Sequence, residues 1–589
     1  MNRRERFSAW LDERAGHKEL LKHLLDEPIV GGAQWAYVFG SALTIVFTVQ
    51  MVTGVLLMSA YAPSAETAWA SVHYITFKMP GGWIVRGLHH FGSQMMVILL
   101  GMHIAQVAIY GAYKKPRELN WWFGLMLLAV TLGFALTGYL LPWDQKGYWA
   151  TQVATNIAGT SPGIGKELQQ ILQGGPAYGN LTLTRFYSLH VAVLPASLIG
   201  LLAIHIALFR KHGVTPKAGA DTTRVDAFFP KQLVIDMGAG TIVLAVMFAL
   251  AWTEHGAPLD APADPASDYP ARPEWYFLPL FELLKYFHGP LEMVGTMGIP
   301  LIVGVYLFAL PLLDKHATTS LRPRMKILAP LFLGGAAIVF LTSNALRADA
   351  HDARFQKERV KANERAHIAT TIAMKGVPVQ GPLWMLENDP ELRGEKLFRD
   401  KCASCHVLGT IGDPKEARAP RLDGWGTEEW VQSMLHDPDA EDRFGRTAFK
   451  GEMPSMDVPA EGAPAGWKPM PTNEKNAVAR FLSQATKADA GELALGEKIV
   501  SERCTACHLY KGEGDDGGEE IAPELSGWGT EGWVRAQIAD PSSPKTYRKK
   551  AMNAERKGHM PKFAGELSDG DIDTLAAWVS RRTRSVNAK

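Results

Sequence analysis

The sequence predicts an all-α protein in two parts: a transmembrane bundle of seven helices, then a soluble part built from two small helical domains. Three observations predict it. Apolar runs long enough to cross a bilayer occur only before residue 346. Two of these runs carry histidines at matched depths. All four cysteines of the 589-residue chain fall in two CxxCH motifs, "CASCH" at 402–406 and "CTACH" at 504–508. A chain of this length exceeds one hydrophobic core. Its net charge of +1 gives no reason to expect a nucleic-acid partner.

The apolar runs lie near 35–58, 91–110, 121–141, 188–209, 234–252, 296–313 and 327–345. Each approaches the roughly 20 residues that span a hydrocarbon core of about 30 Å. A single run of this kind can be a buried soluble helix, but seven in succession cannot all be. The first follows a polar segment, residues 1–32, without a small-residue cleavage site, and reads as a retained span. Basic residues cluster on alternate connections: Arg3, Arg4, Arg6, Arg14, Lys18 and Lys22, then Lys114, Lys115 and Arg117, then Arg210, Lys211, Lys217, Arg224 and Lys231, then Lys315, Arg322, Arg324 and Lys326. By the positive-inside rule that side is cytoplasmic, and an odd number of spans delivers residues 346–589 to the outer side.

Ionisable residues within spans are costly and mark function. The second span holds His89 and His103, fourteen residues apart, and the fourth holds His190 and His205, fifteen apart. At 1.5 Å per residue these separations are about 21 Å, nearly four turns, so each pair keeps to one helix face. The second and fourth spans run in the same direction. His89 therefore meets His190 near the outer side, and His103 meets His205 near the inner side. Two cross-helix imidazole pairs are what two six-coordinate haems require. Gly40 and Gly54 on the first span, and Gly124 and Gly138 on the third, repeat the fourteen-residue spacing. Glycine there lets a flat ring approach closely, although small-residue helix packing gives the same pattern.

On these residues and on "YGAYKKPREL", "GYLLPWDQKGYWA" and "TRFYSLH", residues 30–345 resemble cytochrome b of the quinol-oxidising cytochrome bc complexes. The likeness is to the b6f branch, with its subunit-IV sequence continued in the same chain. The resemblance implies a four-helix dihaem domain at 33–215, a subunit-IV-like domain at 216–345, and a cofactor-binding role for Arg86. It departs from the b6 pattern at Val38, where a cysteine would attach a further haem, and so excludes a covalent third haem in the membrane.

The loop after the fifth span reads "ARPEWYFLPLFELL" (271–284). It places Glu274 between a proline and two aromatics at an outer membrane boundary, where desolvation favours the neutral carboxyl and permits proton exchange near neutral pH. An interfacial aromatic belt with a solvated glutamate is the plainer reading. "PEWY" resembles the signature of the outer quinol-oxidation site, which implies catalytic roles for Glu274 and Tyr276, with 142–151 as the opposite wall. Asp236 lies where mitochondrial-type relatives place an inner quinone-site aspartate, and a helix-start aspartate is the equal alternative.

A CxxC pair followed at once by histidine specifies covalent haem c: two thioethers, from Cys402 and Cys405 or Cys504 and Cys507, and one axial ligand, His406 or His508. The surroundings repeat too. "GEKLFRDKCASCH" is echoed by "GEKIVSERCTACH", and "APRLDGWGTEEWV" by "APELSGWGTEGWV". Two domains resembling class I cytochromes c are thus expected at 386–487 and 490–585, joined to the membrane part by a tether at 346–385. Methionine is the expected sixth ligand. The second repeat offers Met560 in "GHMPKF"; the first offers Met453 in "GEMPSM", with Met456 and Met470 as competitors.

The expectation is a subunit of a quinol:cytochrome c reductase with two b haems and two c haems, set in a bacterial cytoplasmic membrane. Its partners are a membrane quinone, an external acceptor (a cytochrome c or an oxidase) and a separate Rieske iron–sulfur subunit, since every cysteine here is assigned. The family implies a homodimer. The alternative is a passive multihaem conduit or anchor, which gives no reason for "PEWY".

Overall fold

The computed structural model describes residues 2–458, 468–484, 488–514, 522–547 and 560–585. It divides into two compact units, Met1–Met385 and Leu386–Lys589.

Seven helices of the first unit are long and apolar enough to cross a membrane: Trp35–Met58, Gly82–Tyr110, Glu118–Leu140, Asn180–His212, Phe228–Thr253, Val294–Leu313 and Leu321–His351. The second, fourth and seventh extend well beyond the apolar runs. Their polar ends are satisfied by protein, which hydropathy alone does not register. Arg86, in the second turn of the second span, donates to Ala257 O at 2.5 Å, Pro258 O at 2.6 Å and Thr76 Oγ1 at 3.2 Å.

The second span packs against the first and the fifth, and the third packs against the fourth. At one end the connections are locked by a buried ionic cluster. Arg324, fully buried, donates to Asp314 Oδ2 at 2.8 Å and to Ala108 O at 2.6 Å. Tyr113 and Lys114 complete the Asp314 carboxylate at 2.6 and 2.8 Å. A buried charge is tolerable only when paired and hydrogen-bonded in this way. At the same end β1 (Pro28–Val30) and β2 (Val225–Ala227) form a two-stranded antiparallel ladder.

Residues 346–385, read from the sequence as a tether, are mostly helical and bound to the first unit. The seventh span runs to His351, and α1 (Ala353–Ala373) follows, capped by Asp352. Thr370 O meets His73 Nε2 at 3.1 Å, Arg365 pairs with Asp264 at 3.0 Å, and Arg272 stacks 4.4 Å from the Phe355 ring. The segment is polar because half of it faces away from these anchors, and a polar face is what made it look like a linker.

Among the described residues the second unit's main helices, joined by long loops, are α2 (Pro390–Lys401), α3 (Glu428–His436), α4 (Thr472–Leu482), α5 (Ala490–Arg503), α6 (Glu531–Ala539) and α7 (Asp569–Ser585). The duplication is visible in the caps. Asp389 and Asp489 open α2 and α5, and Thr427 and Thr530 open α3 and α6, each side chain accepting from a first-turn N–H. α2 packs on α7, and α5 packs on α4.

Candidate electron-transfer sites

The four span histidines come together as two pairs. The His89 and His190 ring centroids lie 6.2 Å apart, and those of His103 and His205 lie 6.5 Å apart. Two metal–imidazole bonds of about 2 Å, plus half a ring on each side, add to about 6 Å. The spacing therefore suits one iron between each pair, and a direct imidazole–imidazole hydrogen bond would need closer rings.

The glycines face the same rings. A Cβ on Gly54 would lie 3.3 Å from His89 Cε1, and one on Gly138 would lie 2.6 Å from His190 Cε1. At the other level Gly124 faces His205 at 3.4 Å and Gly40 faces His103 at 3.8 Å. Each level thus presents two histidines with a glycine beside each, the cradle a flat macrocycle requires. These residues fit haem b at both levels.

Threonines orient the outer pair. Thr53 Oγ1 lies 2.9 Å from His89 Nδ1 and Thr137 Oγ1 lies 3.0 Å from His190 Nδ1, which leaves both Nε2 atoms for metal. His205 Nδ1 donates to Asn120 O at 3.1 Å, while His103 Nδ1 is buried without a partner among the described residues. The sequence reading missed these threonines, although each precedes its glycine in a repeated Thr-Gly pair, at 53–54 and 137–138.

The fourth span also shows how fifteen residues match fourteen. Leu189–Val193 forms a π-helical turn that contains His190. A π turn absorbs one extra residue without lengthening the helix in proportion. His190 and His205 consequently stay level with His89 and His103.

The third span ends at Leu140, and the segment after it meets the "PEWY" loop. Lys146 Nζ binds Glu274 Oε1 at 2.7 Å and lies over the Tyr139 ring at 5.6 Å. Glu274 is therefore ion-paired, where the sequence suggested a lone desolvated carboxyl. Tyr276 is mostly buried beside it, and burial followed by the Glu274 charge pushes its phenol up. A second acid sits in the same wall. Asp144 caps the helix Gln145–Gly159 through Gly147 N at 2.8 Å and accepts from Asp260 N at 3.2 Å. Its burial, and then the Asp260 carboxylate, push it up to about 6. Tyr269 donates to Asp260 Oδ2 at 2.6 Å. Lys146, Asp144, Asp260 and Tyr269 make this end a cluster of charged and polar groups that the motif alone did not reveal.

Asp236, in the first turn of its helix, is buried with both oxygens held, by Ser41 Oγ at 2.6 Å and Gln232 Nε2 at 2.7 Å. The Ser41 bond ties the fifth span to the first. Arg86, which the resemblance assigns to cofactor binding, donates to the backbone carbonyls of Ala257 and Pro258.

In the second unit His406 Nδ1 donates to Pro420 O at 2.9 Å and His508 Nδ1 to Pro523 O at 2.8 Å, fixing each ring for ligation through Nε2. Burial lowers the His406 pKa, which keeps the imidazole neutral as a ligand must be. Among the methionines, backbone bonds distinguish the candidates. Met456 N donates to Leu435 O at the end of α3, and Phe563 N donates to Ile538 O at the end of α6. Met456 is thus the counterpart of Phe563, a packing residue, and Met453 is the counterpart of Met560. Met470 is buried in the apolar core at 3% exposure.

Comparisons with known proteins show where the chain's likeness lies. Family models match in three places: Cytochrome b/b6/petB over residues 24–213, Cytochrome b(C-terminal)/b6/petD over 262–352, and Cytochrome c over 493–582. The "Cytochrome bc complex cytochrome b subunit" of Chlorobaculum thiosulfatiphilum is 34% identical over 374 residues, covering 59% of this chain and 82% of its own. The "Menaquinol:cytochrome c reductase cytochrome b subunit" of Bacillus subtilis is 39% identical over 214 residues, covering 35% of this chain and 96% of its own. A solved chain titled "Hyperthermophilic respiratory Complex III" superposes with a TM-score of 0.51 at 27% identity, over 61% of this chain and 98% of that one.

The chain belongs to the cytochrome b family of bc complexes. It is a multi-pass membrane protein with a cytochrome c domain fused at its C-terminal end, so the families imply haem b and haem c. The single Cytochrome c match covers the second repeat only. The first repeat is tied to it by the echoed caps, the His–Pro carbonyl bond and the equivalent methionine.

Proposed function

We propose that this cytochrome b–c chain is the quinol-oxidising subunit of a quinol:cytochrome c oxidoreductase. Quinol gives up two electrons and two protons at the Glu274 pocket. One electron goes to a separate Rieske iron–sulfur subunit and the other into the membrane bundle, with proton release on the outer side. The b haems supply one-electron transfer across the bilayer, and two c haems supply the relay to an external acceptor, a cytochrome c or an oxidase. The setting is a bacterial cytoplasmic membrane with the N-terminus inside, the c unit outside, and two copies in the complex.

The observation that carries this reading is the placement of the Glu274–Lys146 pair. It follows directly on the C-terminal end of the third span, whose Gly138 lies against His190 of the outer pair. The protonic site and one electron acceptor therefore share one end of the bundle. Glu274 accepts the quinol proton, and its ion pair with Lys146 holds the carboxylate in place until then. Asp144 and Asp260, which both feel the Lys146 charge, are the next carboxyls to take the proton. Tyr276 stays protonated and offers a hydrogen-bond donor. At the opposite end Asp236 fixes the fifth span.

The test is to add an oxidant to the isolated complex while the inner quinone site is inhibited. Transient reduction of haem b is expected. Its absence would overturn divided electron flow and leave a passive conduit. Purification of the native complex is expected to bring a Rieske subunit with it.

A further inference from the structure

The two CxxCH repeats match closely along the chain, yet their helices pair across the repeats. α2, which leads into Cys402, lies on α7 of the second repeat. A Cβ on Gly394 would collide with Trp578, the Trp578 ring is 5.4 Å from Phe398, and Arg393 binds Asp571 at 2.6 Å. α5, which leads into Cys504, lies on α4 of the first repeat. A Cβ on Gly496 would come within 2.6 Å of Phe481, and Arg503 pairs with Glu474 at 3.1 Å. Gly394 and Gly496 are equivalent in the repeats, as are Phe481 and Trp578, so the crossing is reciprocal.

The residue just before each motif follows the same rule. Lys401 Nζ lies 2.5 Å from Glu566 Oε1, six residues beyond Met560. Arg503 donates to Lys468 O at 2.8 Å, in the segment that feeds α4. Tyr510, two residues after His508, meets Phe481 edge-on at 6.1 Å. Each methionine segment, in contrast, stays with the helix of its own repeat through the Met456–Leu435 and Phe563–Ile538 backbone bonds.

The chain changes partners at the repeated "GWGT". Gly424 N donates to Thr583 O at 2.9 Å, Gln484 Nε2 donates to Trp528 O at 3.3 Å, and the equivalent rings of Trp425 and Trp528 meet at 4.9 Å. Arg421, just ahead of this point, still bonds within its repeat, to Asp442 O at 3.0 Å, and Glu524 does the same with Thr546 O at 2.9 Å.

A haem held by two thioethers cannot move far from its cysteines. The helix packed on each cysteine-bearing helix is fed by the methionine segment of the other repeat: Met560 precedes α7, which lies on α2, and Met453 precedes α4, which lies on α5. We infer that axial ligation is crossed between the repeats: Met560 completes the haem of Cys402, Cys405 and His406, and Met453 completes the haem of Cys504, Cys507 and His508. This deepens the proposal that both motifs carry haem and rests on it. The stretches 386–487 and 490–585 are then sequence duplicates, and neither is a folding unit. One ligand set is contiguous, from Met453 to His508, and is nested inside the other.

The full chain provides the test. Pyridine haemochrome counting comes first: one c haem would refute the two-haem reading itself, and two admit the ligand test. In a Cys504→Ala/Cys507→Ala chain only the Cys402–Cys405 haem remains. Crossed ligation predicts that adding Met560→Ala abolishes the weak near-infrared methionine-to-ferric-haem band, whereas adding Met453→Ala keeps it. The reverse pattern overturns the inference. If the double-cysteine variant does not mature, zero-length carbodiimide cross-linking of the wild-type chain decides the same point. Peptide mass spectrometry is expected to find Lys401 joined to Glu566, and Lys401 joined only to carboxylates of residues 386–487 would overturn the crossing.

Discussion

Gly138→Ala tests the outer haem site at atomic scale. A methyl at this position would sit 2.6 Å from His190 Cε1, 3.2 Å from Nδ1 and 3.3 Å from Nε2. Ordinary carbon contacts are about 3.5–4 Å, so the ring or the helix must shift by about 1 Å. The ring resists, because Thr137 Oγ1, on the preceding residue, holds Nδ1 at 3.0 Å. Overpacking of this kind costs about 1–3 kcal/mol, which corresponds to roughly fivefold to 150-fold weaker retention of the outer haem. Redox-resolved difference spectra of the purified complexes provide the assay. Gly138→Ala is expected to lose or perturb the outer b haem and spare the inner one. Two unaltered b haems in Gly138→Ala would refute the cradle argument.

Glu274→Gln keeps the size of the side chain but leaves Lys146 without its carboxylate; quinol oxidation is expected to slow by about a hundredfold to ten-thousandfold with both b haems retained. Wild-type turnover across the pH range would remove Glu274 from the mechanism. Thr137→Val removes the Nδ1 partner of His190, and outer-haem affinity is expected to fall about 10–100-fold, as read by haem titration of the depleted complex. Asp144 has a folded-state pKa raised from 3.8 to about 6, so folding takes up a proton between those values. Its contribution to stability is present below pH 3.8 and is lost as pH rises through about 6. Asp144→Asn, which still caps its helix, is expected to flatten that part of a thermal-unfolding series, and an unchanged slope would place the titration elsewhere. Met453→His is expected to keep covalent haem while lowering the potential of one c haem, because a nitrogen ligand favours ferric iron over a thioether. Redox titration reads the shift, and an unmoved potential would return the role to Met456 or Met470.

The sequence by itself determined what depends on local pattern. Seven spans were legible because a bilayer imposes one length and one composition on every crossing. The levels of His89, His103, His190 and His205 were legible because helical rise turns sequence spacing into depth. The c-type motifs were legible because covalent attachment fixes cysteine and histidine within one turn. Only the tertiary structure decided what depends on residues far apart in the chain. It supplied the Lys146 partner of Glu274, and it gave the repeated Thr-Gly pairs and the extra residue after His190 their meaning, as Nδ1 anchors and as a π turn. It turned the polar stretch after residue 346 into a docked helix, and it gave Arg86 to the carbonyls of Ala257 and Pro258. It also chose which repeat each c-type helix joins. Duplicated segments carry nearly the same apolar faces, so α2 and α5 could each match either C-terminal helix by pattern. The crossing is settled by packing alone, where Gly394 meets Trp578 and Gly496 meets Phe481.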